Sequence, residues 1–284
     1  MIAPESTSSK RPTHINVRVK RQDRPGESQY WELHRIPYER EMNVISVLQR
    51  VAAQATTVEG KRVTPVAWDC GCLEEVCGSC TMVINGRVRQ SCSALVDRLL
   101  EEDAEEIVLE PMAKFPVIRD LLVDRSRMFR DLERIKGWVP VDGYYDMGAG
   151  PRQDRENQER NYPLSKCMTC GCCLEACPQY HRIELDQLEG ESDEAFEQRK
   201  RAAYDESFMG AHAISQAMRF NLDPTGSSLA GDRLDELAGT GGVATCGNAQ
   251  NCVAVCPKEI PLTRSIARAG RATTLHVIKK FFDR

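Results

Sequence analysis

Alternating apolar and polar residues near the N-terminus predict a β-hairpin. Ile15, Val17 and Val19 alternate with polar neighbours, which is the period of a strand with one buried face. Residues 23–28 contain Pro-Gly and predict a turn, and residues 30–36 then predict the return strand. The first elements of the chain are therefore expected to be two antiparallel strands.

The period of the apolar positions then changes from that of a strand to that of a helix. Asn43 is a suitable N-cap for a helix whose apolar residues, at 44, 47, 48 and 51, share one helical face. Asn85-Gly86 is a strong hairpin signal and predicts a strand on each side of it. A last strand is predicted at 106–110, before Pro111. These elements predict a small sheet crossed by one helix.

From Phe115 onward the pattern is helical. Val117, Leu121 and Leu122 are predicted to share one face of a helix that ends at about Lys136. The remaining segments are predicted from composition and spacing. They are a surface linker at 143–161, a charged and solvated helix or insertion at 184–206, a better-packed helix at 209–222 and a short helix at 232–237.

The composition narrows the functional classes. A net charge of −4 and a charged fraction of 28% give no basic field that would bind nucleic acid. No stretch approaches the roughly 18 apolar residues that a membrane helix needs. Residues 1–11 are polar and lack the apolar core of a secretory signal. The expected compartment is therefore the reducing cytoplasm, where thiols stay free.

Cysteine is the most informative residue type of the chain. Eleven of the thirteen cysteines fall into three sets with the spacing of iron–sulfur ligands. The first set matches the plant-type [2Fe–2S] pattern, and the second matches the bacterial run whose last cysteine ligates the other cluster of a pair. The sets are Cys72-x4-Cys77-x2-Cys80 with Cys92, Cys167-x2-Cys170-x2-Cys173-x3-Cys177-Pro178, and Cys246-x5-Cys252-x3-Cys256-Pro257. Three clusters in series predict the transfer of single electrons over a distance.

The third set repeats the second but lacks one ligand. Ala249 stands where a cysteine would complete the run, and a methyl group does not bind iron. In the crossed arrangement, the two sets then predict one four-iron and one three-iron cluster. The predicted ligands are Cys167, Cys170, Cys173 and Cys256 for [4Fe–4S], and Cys177, Cys246 and Cys252 for [3Fe–4S]. Cys70 and Cys172 are left over and are predicted to be small buried thiols beside a cluster.

Disulfides and structural zinc are the other common uses of clustered cysteines. Disulfide frameworks are typical of short secreted chains, whereas this chain has 284 residues and an odd number of cysteines. Structural zinc sites use two Cys-x2-Cys pairs separated by a spacer, not one dense run that ends in Cys-Pro. The spacing therefore favours iron–sulfur clusters over both alternatives.

Five segments together match the pattern of one family. They are CLEEVCGSCTMVINGRVRQSC (72–92), EIVLEPM (106–112), FPVIRDLLVD (115–124), CMTCGCCLEACP (167–178) and CGNAQNCVAVCPKEIPLTRSI (246–266). The chain thus resembles the iron–sulfur subunit of succinate dehydrogenase and fumarate reductase. The resemblance implies an α+β fold in which an N-terminal β-grasp [2Fe–2S] ferredoxin domain precedes an all-α ferredoxin-like domain holding two clusters. The predicted boundaries are 1–12 for a flexible N-terminus, 13–114 and 115–284.

The resemblance implies the role of an electron relay. In the family, a flavoprotein subunit with covalently bound FAD oxidises succinate, and electrons pass through [2Fe–2S], [4Fe–4S] and [3Fe–4S] clusters to quinone at a membrane anchor. The chain itself is expected to hold no succinate site and no catalytic residue. The implied location is peripheral, on the cytoplasmic face of the bacterial cell membrane. Residues 72–80 would face the flavoprotein, and the surface around 177–178 and 252–260 would face a haem-bearing anchor.

The residues beside the predicted three-iron site depart from the pattern of many family members. Those members place a tryptophan shortly after Cys-Pro and a histidine just after the next ligand, beside a quinone. Here the next ligand is followed by Gly247, and Pro178 is followed by Gln179 and then by Tyr180 and His181, with no tryptophan. The predicted quinone-side surface consists of Pro178, Tyr180, His181 and Gly247. The departure resembles the menaquinone-linked branch with a haem b anchor, in which electrons continue through haem to a distant quinone.

Three alternative functions stay open. A fumarate reductase would use the same subunit pattern with electrons moving in the opposite direction. The relays of glycolate, glycerol-3-phosphate or thiol-linked fumarate-reducing systems usually carry two intact four-cysteine runs or other C-terminal cysteine motifs, and Ala249 argues against them. A free-standing multicluster ferredoxin is expected to be a single small domain, which the length of this chain argues against.

Overall fold

Two hairpins and one separate strand form the main sheet of the N-terminal domain. A computed structural model of the chain describes residues 12–102, 106–140 and 151–283. Within these ranges, the strands and helices before residue 125 are β1 (His14–Arg21), β2 (Tyr30–Pro37), α1 (Val44–Gln54), β3 (Thr81–Ile84), β4 (Arg87–Gln90), α2 (Val96–Glu102), β5 (Glu106–Glu110), β6 (Val117–Arg119) and β7 (Leu122–Val123).

Five of these strands form one sheet in the order β2-β1-β5-β3-β4. β1 and β5 run parallel, and the other neighbouring pairs are antiparallel. Val17 and Val19 of β1 are fully buried beside Ile107 and Leu109 of β5. The alternation that predicted β1 is therefore the alternation between the core and solvent. Both predicted hairpins and the predicted last strand are confirmed.

The predicted helix is α1, and its first turn is capped as expected. Asn43 Oδ1 accepts a hydrogen bond from the Ser46 N–H at 2.9 Å, which satisfies one free donor at the helix start. The four apolar residues of its predicted face are buried in the sheet core. α2 was not predicted, because a helix of seven residues offers less than two turns of periodicity.

The first half of the helix predicted at 115–136 is wrong. β6 and β7 form a short hairpin there, with Asp120 at its turn in the left-handed region (φ 49°). The buried Asp120 carboxylate lies 2.8 Å from the Arg21 Nε. It also accepts hydrogen bonds from the main-chain N–H groups of Gln22 and Ala67. These long-range contacts stabilise a turn where the local apolar spacing favours a helix.

The rest of the described chain is mainly helical. Its helices are α3 (Ser126–Arg134), α4 (Arg155–Ser165), α5 (Cys172–Glu175), α6 (Asp193–Asp205), α7 (Gly210–Leu222), α8 (Ala230–Ala238), α9 (Asn251–Ala254) and α10 (Leu262–Phe282). The predicted helices at 184–206, 209–222 and 232–237 are confirmed as α6, α7 and α8, although α6 covers only part of its segment. Among the described residues, no helix is both long and apolar enough to span a membrane.

The linker predicted at 143–161 is wrong in its last part. Residues 143–150 lie outside the described residues, and residues 155–161 belong to α4. Asp154 caps this helix by accepting a hydrogen bond from the Asn157 N–H, and Leu164 is the buried residue that anchors it. α4 is otherwise polar, so its helical period carries little apolar signal, and its packing on α7 is a tertiary contact.

α7 lies at the centre of the helical domain. It packs against α3, α4, α5, α8 and α10, and its small residues Ala211, Ala213 and Ala217 are buried at these contacts. The Ser215 hydroxyl donates a hydrogen bond to Ser265 Oγ of α10 at 3.1 Å. The helices before and after the cysteine-rich loops therefore share one core.

Candidate iron–sulfur sites

The loop that precedes β3 turns its main-chain donors towards sulfur. Leu73 and Glu75 adopt left-handed conformations (φ 61° and 55°), which are rare for residues with a side chain. The N–H groups of Glu74 and Val76 both donate to Cys72 Sγ at 3.3 Å. Backbone conformations of this kind persist where the surrounding structure fixes them, and they cluster at functional sites. Here it forms a concave set of donors around a cysteine sulfur.

Cys77 is held in the same way by the same loop. Its Sγ accepts hydrogen bonds from the main-chain N–H groups of Cys72 at 3.4 Å and Ser79 at 3.5 Å. The hydrogen bond from the Cys72 main chain is the largest effect that lowers the pKa of the Cys77 thiol to about 6. Because the thiolate is the form that binds iron, the loop favours the ligand state of Cys77.

Cys80 and Cys92 complete the first set from the β3–β4 hairpin. The Ser91 N–H donates to the Cys80 carbonyl at 3.1 Å, which extends the pairing of the hairpin. Cys80 and Cys92 are both buried, beside Ile45 and Trp68. Burial raises the pKa of Cys80 to about 12. Iron binding at Cys80 would therefore release a proton.

Three cysteines of the second set line one cavity in the helical domain, together with Cys256 of the third set. Gly171, at φ 87°, lets the chain turn between α5 and the segment before it. Ile260 and Leu262 contribute apolar walls. The cavity carries five cysteines, namely Cys167, Cys170, Cys172, Cys173 and Cys256. The structure therefore brings together the four cysteines that the sequence assigns to one cluster, although Cys256 is distant along the chain.

The three cysteines assigned to the three-iron cluster, two from the third set and Cys177 from the second, gather at α9. Cys252 is buried at its start, and burial is the main effect that raises the pKa of its thiol. Cys177 and Cys246 lie close enough to Cys252 that their charges raise this pKa further. Ala249 is exposed in the loop between Cys246 and α9. The three cysteines assigned to a three-iron cluster are thus neighbours.

One of the two remaining cysteines is not where the sequence predicted it. Cys172 is fully buried as expected, but Cys70 is exposed, because it precedes a loop that lies on the surface.

The Cys172 thiol donates a hydrogen bond to Cys170, which is the largest effect that lowers the pKa of Cys170 to about 7. Within the described part of the chain, no three His, Cys, Asp or Glu side chains converge as a site for one metal ion would require.

The loops of the first and second sets are in direct contact. A Cβ at Gly78 would lie 2.8 Å from Cys170 Cα, and Gly78 has φ 75°, so only glycine fits there. The buried Gln90 amide joins the same two loops. Its Nε2 donates to Cys172 Sγ at 3.5 Å, and its Oε1 lies 3.6 Å from Cys80 Sγ. Sequence reasoning passed over Gln90, although its place two residues before Cys92 was a usable signal.

The predicted quinone-side surface is only partly at the surface. Pro178, His181 and Gly247 are exposed, but Tyr180 is completely buried. The Arg127 guanidinium lies 3.8 Å from the centre of the Tyr180 ring, so the ring is part of the domain core. The expectation that Tyr180 faces a quinone at this surface is therefore corrected.

Gln179 occupies the space beside the third set, a role that the sequence prediction missed. A Cβ added at Gly247 would lie 2.5 Å from Gln179 Nε2, so glycine leaves room for this amide. Gln179 Oε1 lies 3.7 Å from Cys177 Sγ. The position directly after Cys-Pro was the signal that could have identified Gln179. A polar amide thus lies against one of the three cysteine sulfurs.

Two family descriptions match the chain over these regions. The family described as a 2Fe-2S iron-sulfur cluster binding domain matches residues 16–130, and that described as a 4Fe-4S dicluster domain matches residues 163–260. The fold and the cysteine sites therefore define a two-domain iron–sulfur protein, with a [2Fe–2S] domain followed by a helical [4Fe–4S] dicluster domain.

Individual relatives narrow this class to one family. The chain is 47% identical over 268 residues to the succinate dehydrogenase iron–sulfur subunit of Bacillus subtilis, covering 94% of this chain and 96% of the relative. It is 29% identical over 208 residues to the fumarate reductase iron–sulfur subunit of Wolinella succinogenes, covering 72% and 76%. The chain therefore belongs to the family of iron–sulfur subunits of succinate dehydrogenase and fumarate reductase.

A solved structure supports the fold. One chain of the Mycobacterium smegmatis Sdh1 complex in the apo form superposes with a TM-score of 0.67 and 22% identity. The match covers 92% of this chain and 95% of that chain. The α+β arrangement of a sheet domain followed by a helical domain is thus shared along nearly the whole length.

Proposed function

We propose that the chain relays single electrons from an FAD-containing flavoprotein to a haem b membrane anchor, as the iron–sulfur subunit of a succinate:quinone oxidoreductase. The observation that carries the proposal is the grouping of seven cysteines of the helical domain, with four proposed ligands lining one cavity and three others lying close together. Fumarate reduction would use the same residues in the opposite direction. The 47% identity to a succinate dehydrogenase subunit favours succinate oxidation.

The ligand assignment follows from the grouping of the cysteines. The crossed arrangement is supported by the cavity that Cys256 shares with Cys167, Cys170 and Cys173, and by the closeness of Cys252 to Cys177 and Cys246. The proposed ligands are Cys72, Cys77, Cys80 and Cys92 for [2Fe–2S], Cys167, Cys170, Cys173 and Cys256 for [4Fe–4S], and Cys177, Cys246 and Cys252 for [3Fe–4S]. The clusters supply one-electron redox chemistry when bound.

The residues around the sulfur atoms have separate tasks in this relay. Main-chain N–H groups that donate to Cys72 and Cys77 stabilise negative charge on sulfur, which favours the reduced state of a bound cluster. Cys173 and Cys252 are buried, which keeps water from the two sites of the helical domain. The contact at Gly78 keeps the first two sites close together.

The two cores overlap in sequence around the proposed domain division at residues 114 and 115, since Met112 already packs in the helical core. Phe115 and Val117 pack in the core of the helical domain, although they precede α3. Leu121, in contrast, packs in the sheet core. The β6–β7 hairpin therefore lies between the two cores, and residues 13–114 and 115–284 are proposed as the two domains.

The proposed partners are a flavoprotein at the first site and a membrane anchor at the third. Leu73 and Val76, which are 52% and 56% exposed, give the loop at 72–80 an apolar surface suited to a protein partner. Val253 beside Cys252 is likewise exposed. With the anchor on that side, the chain would lie peripherally on the cytoplasmic face of the bacterial cell membrane.

The cluster content is tested by electron paramagnetic resonance of the purified complex. We expect a three-iron signal in the oxidised state, a [2Fe–2S] signal on partial reduction, and about nine non-haem iron atoms per chain. In Ala249→Cys, we expect a fourth ligand to convert the three-iron cluster to [4Fe–4S]. Two four-iron clusters in the unmodified protein, with no three-iron signal, would contradict the assignment.

The partners are tested by isolating the chain from membranes through an affinity tag. We expect it to carry a flavoprotein with FAD and an anchor with haem b, and succinate to reduce that haem. Turnover with a menaquinone analogue should persist when a ligand is aimed at the surface of Pro178, His181 and Gly247, because the proposed quinone site is distant. A stable monomer that holds all three clusters and binds neither partner would contradict the proposal.

A further inference from the structure

Arg125 reaches from the helical domain to the loop of the first site. It precedes α3 directly, and its side chain points back to the segment before β3. Its Nη1 donates to the Gly78 carbonyl at 2.6 Å, and its Nη2 donates to the Ser79 carbonyl at 2.5 Å. Arg125 thus holds two consecutive main-chain carbonyls of the loop between two proposed ligands of one cluster.

The same guanidinium lies beside the loop of the second site. Gly78 contacts Cys170 so closely that a Cβ would lie 2.8 Å from its Cα. The exposed Asp69 and the cysteines Cys170, Cys172 and Cys80 all lie close enough for a negative charge on them to act on Arg125. Arg125 is therefore placed at the contact between the two loops, within electrostatic reach of one proposed ligand of each cluster.

The charge of Arg125 is only partly balanced by the groups that bind it. Arg125 is half-buried, and a cation that loses part of its solvation is stabilised by an opposite charge or by hydrogen bonds. The two acceptors of its hydrogen bonds are carbonyl oxygens, which are neutral. Asp69 lies on the exposed side. The remaining negative charge near Arg125 is that of the cysteine sulfurs, which become thiolates when they bind iron.

We propose that Arg125 is a positioning residue shared by the first two clusters, which fixes the contact of their loops and raises both midpoint potentials. The proposal rests on the proposed ligand assignment. Transfer of one electron from the [2Fe–2S] to the [4Fe–4S] cluster removes one negative charge on one side of Arg125 and adds one on the other. A cation between the two clusters stabilises the reduced form of either one, so its charge raises the midpoint potential of both.

The test is a redox titration of the intact complex, followed by electron paramagnetic resonance, in Arg125→Gln and Arg125→Lys. In Arg125→Gln, we expect the midpoint potentials of [2Fe–2S] and [4Fe–4S] to shift to more negative values while [3Fe–4S] is unchanged. Arg125→Lys keeps the charge and loses the paired hydrogen bonds, so its shifts should be smaller in both clusters. Arg130→Gln is the matched control. It removes an arginine of α3 that pairs with Asp205 of α6, and it should shift none of the three midpoint potentials.

The outcomes separate this proposal from the proposed function. Unshifted potentials in Arg125→Gln, with all iron retained, would overturn the role of Arg125 and leave the relay intact. An equal shift of all three clusters would also overturn it, because a global change would then explain the result. Absence of the first two clusters from the unmodified complex would instead overturn the proposed function. If Arg125→Gln loses iron, the potentials of Arg125→Lys decide, since a shift in only the first two clusters supports the proposal and unchanged potentials overturn it.

Discussion

Replacing Cys173 with alanine is expected to remove the [4Fe–4S] cluster and stop electron transfer through the chain. Cys173 is buried in the cavity that holds the other three proposed ligands, so its loss leaves one iron without a protein ligand. The [4Fe–4S] signal should be lost, and the non-haem iron content should fall by about one atom per chain where the three remaining thiolates hold a three-iron cluster and by about four where the site empties. Because the three sites act in series, succinate-dependent reduction of the anchor haem should fall to background, while the [2Fe–2S] signal remains reducible.

The neighbouring cysteine provides a matched control. Cys172 is equally buried and lines the same cavity, but its thiol contacts Cys170 and Gln90, and the spacing of the run assigns it no iron. Cys172→Ala should therefore retain the full iron content. Iron analysis and electron paramagnetic resonance of both variants give the comparison. Loss of the cluster in Cys172→Ala with retention in Cys173→Ala would show that the ligand register is shifted by one residue.

Local periodicity was sufficient for the parts of the fold whose burial follows it. β1 alternates between core and solvent along its whole length, and α1 begins at an asparagine that caps it. The hairpin at Asn85-Gly86 needs left-handed backbone at both turn residues, and both have it. In these elements, the tertiary environment reinforces what neighbouring residues favour.

Long-range contacts decided the elements that the sequence did not predict. The β6–β7 hairpin depends on Asp120, whose partner Arg21 is 99 residues away in the chain. α10 is the longest described helix, but the polar residues Ser265 and Thr273 lie on its buried face and weaken its apolar period. Its packing against α7 and α8 is a tertiary contact that no window of the sequence contains.

The same distinction applies to the candidate sites. The spacing of the cysteines predicted which of them could share iron, because ligand geometry constrains neighbours in a loop. Gln90 and Arg125 contact the cysteine loops across 82 and 47 residues, and the local sequence does not show which loop each of them contacts. Groups that tune a cluster are thus harder to predict than groups that bind it.

Replacing Asp120 with alanine is expected to destabilise the N-terminal domain by about 3–5 kcal/mol, because it leaves the buried Arg21 without its main partner. Glu32 also pairs with Arg21, so the effect should lie towards the lower end of this range. Asp120 further accepts the Ala67 N–H at 2.8 Å, just before the loop of the first site. Bleaching of the [2Fe–2S] absorbance in urea should therefore begin at a lower concentration in Asp120→Ala.

Glu106→Ala is the matched control for this prediction. Glu106 also joins distant parts of the N-terminal domain, through an ion pair with Arg18 at 2.9 Å, but this pair is partly solvated. Exposed pairs contribute only about 0.2–1 kcal/mol, so the urea midpoint should change little. Because the third site lies in the other domain, the three-iron signal should persist in Asp120→Ala after the [2Fe–2S] absorbance is lost. Equal urea midpoints for Asp120→Ala and Glu106→Ala would show that the contacts of Asp120 with Arg21 and Ala67 do not stabilise the loop of the first site.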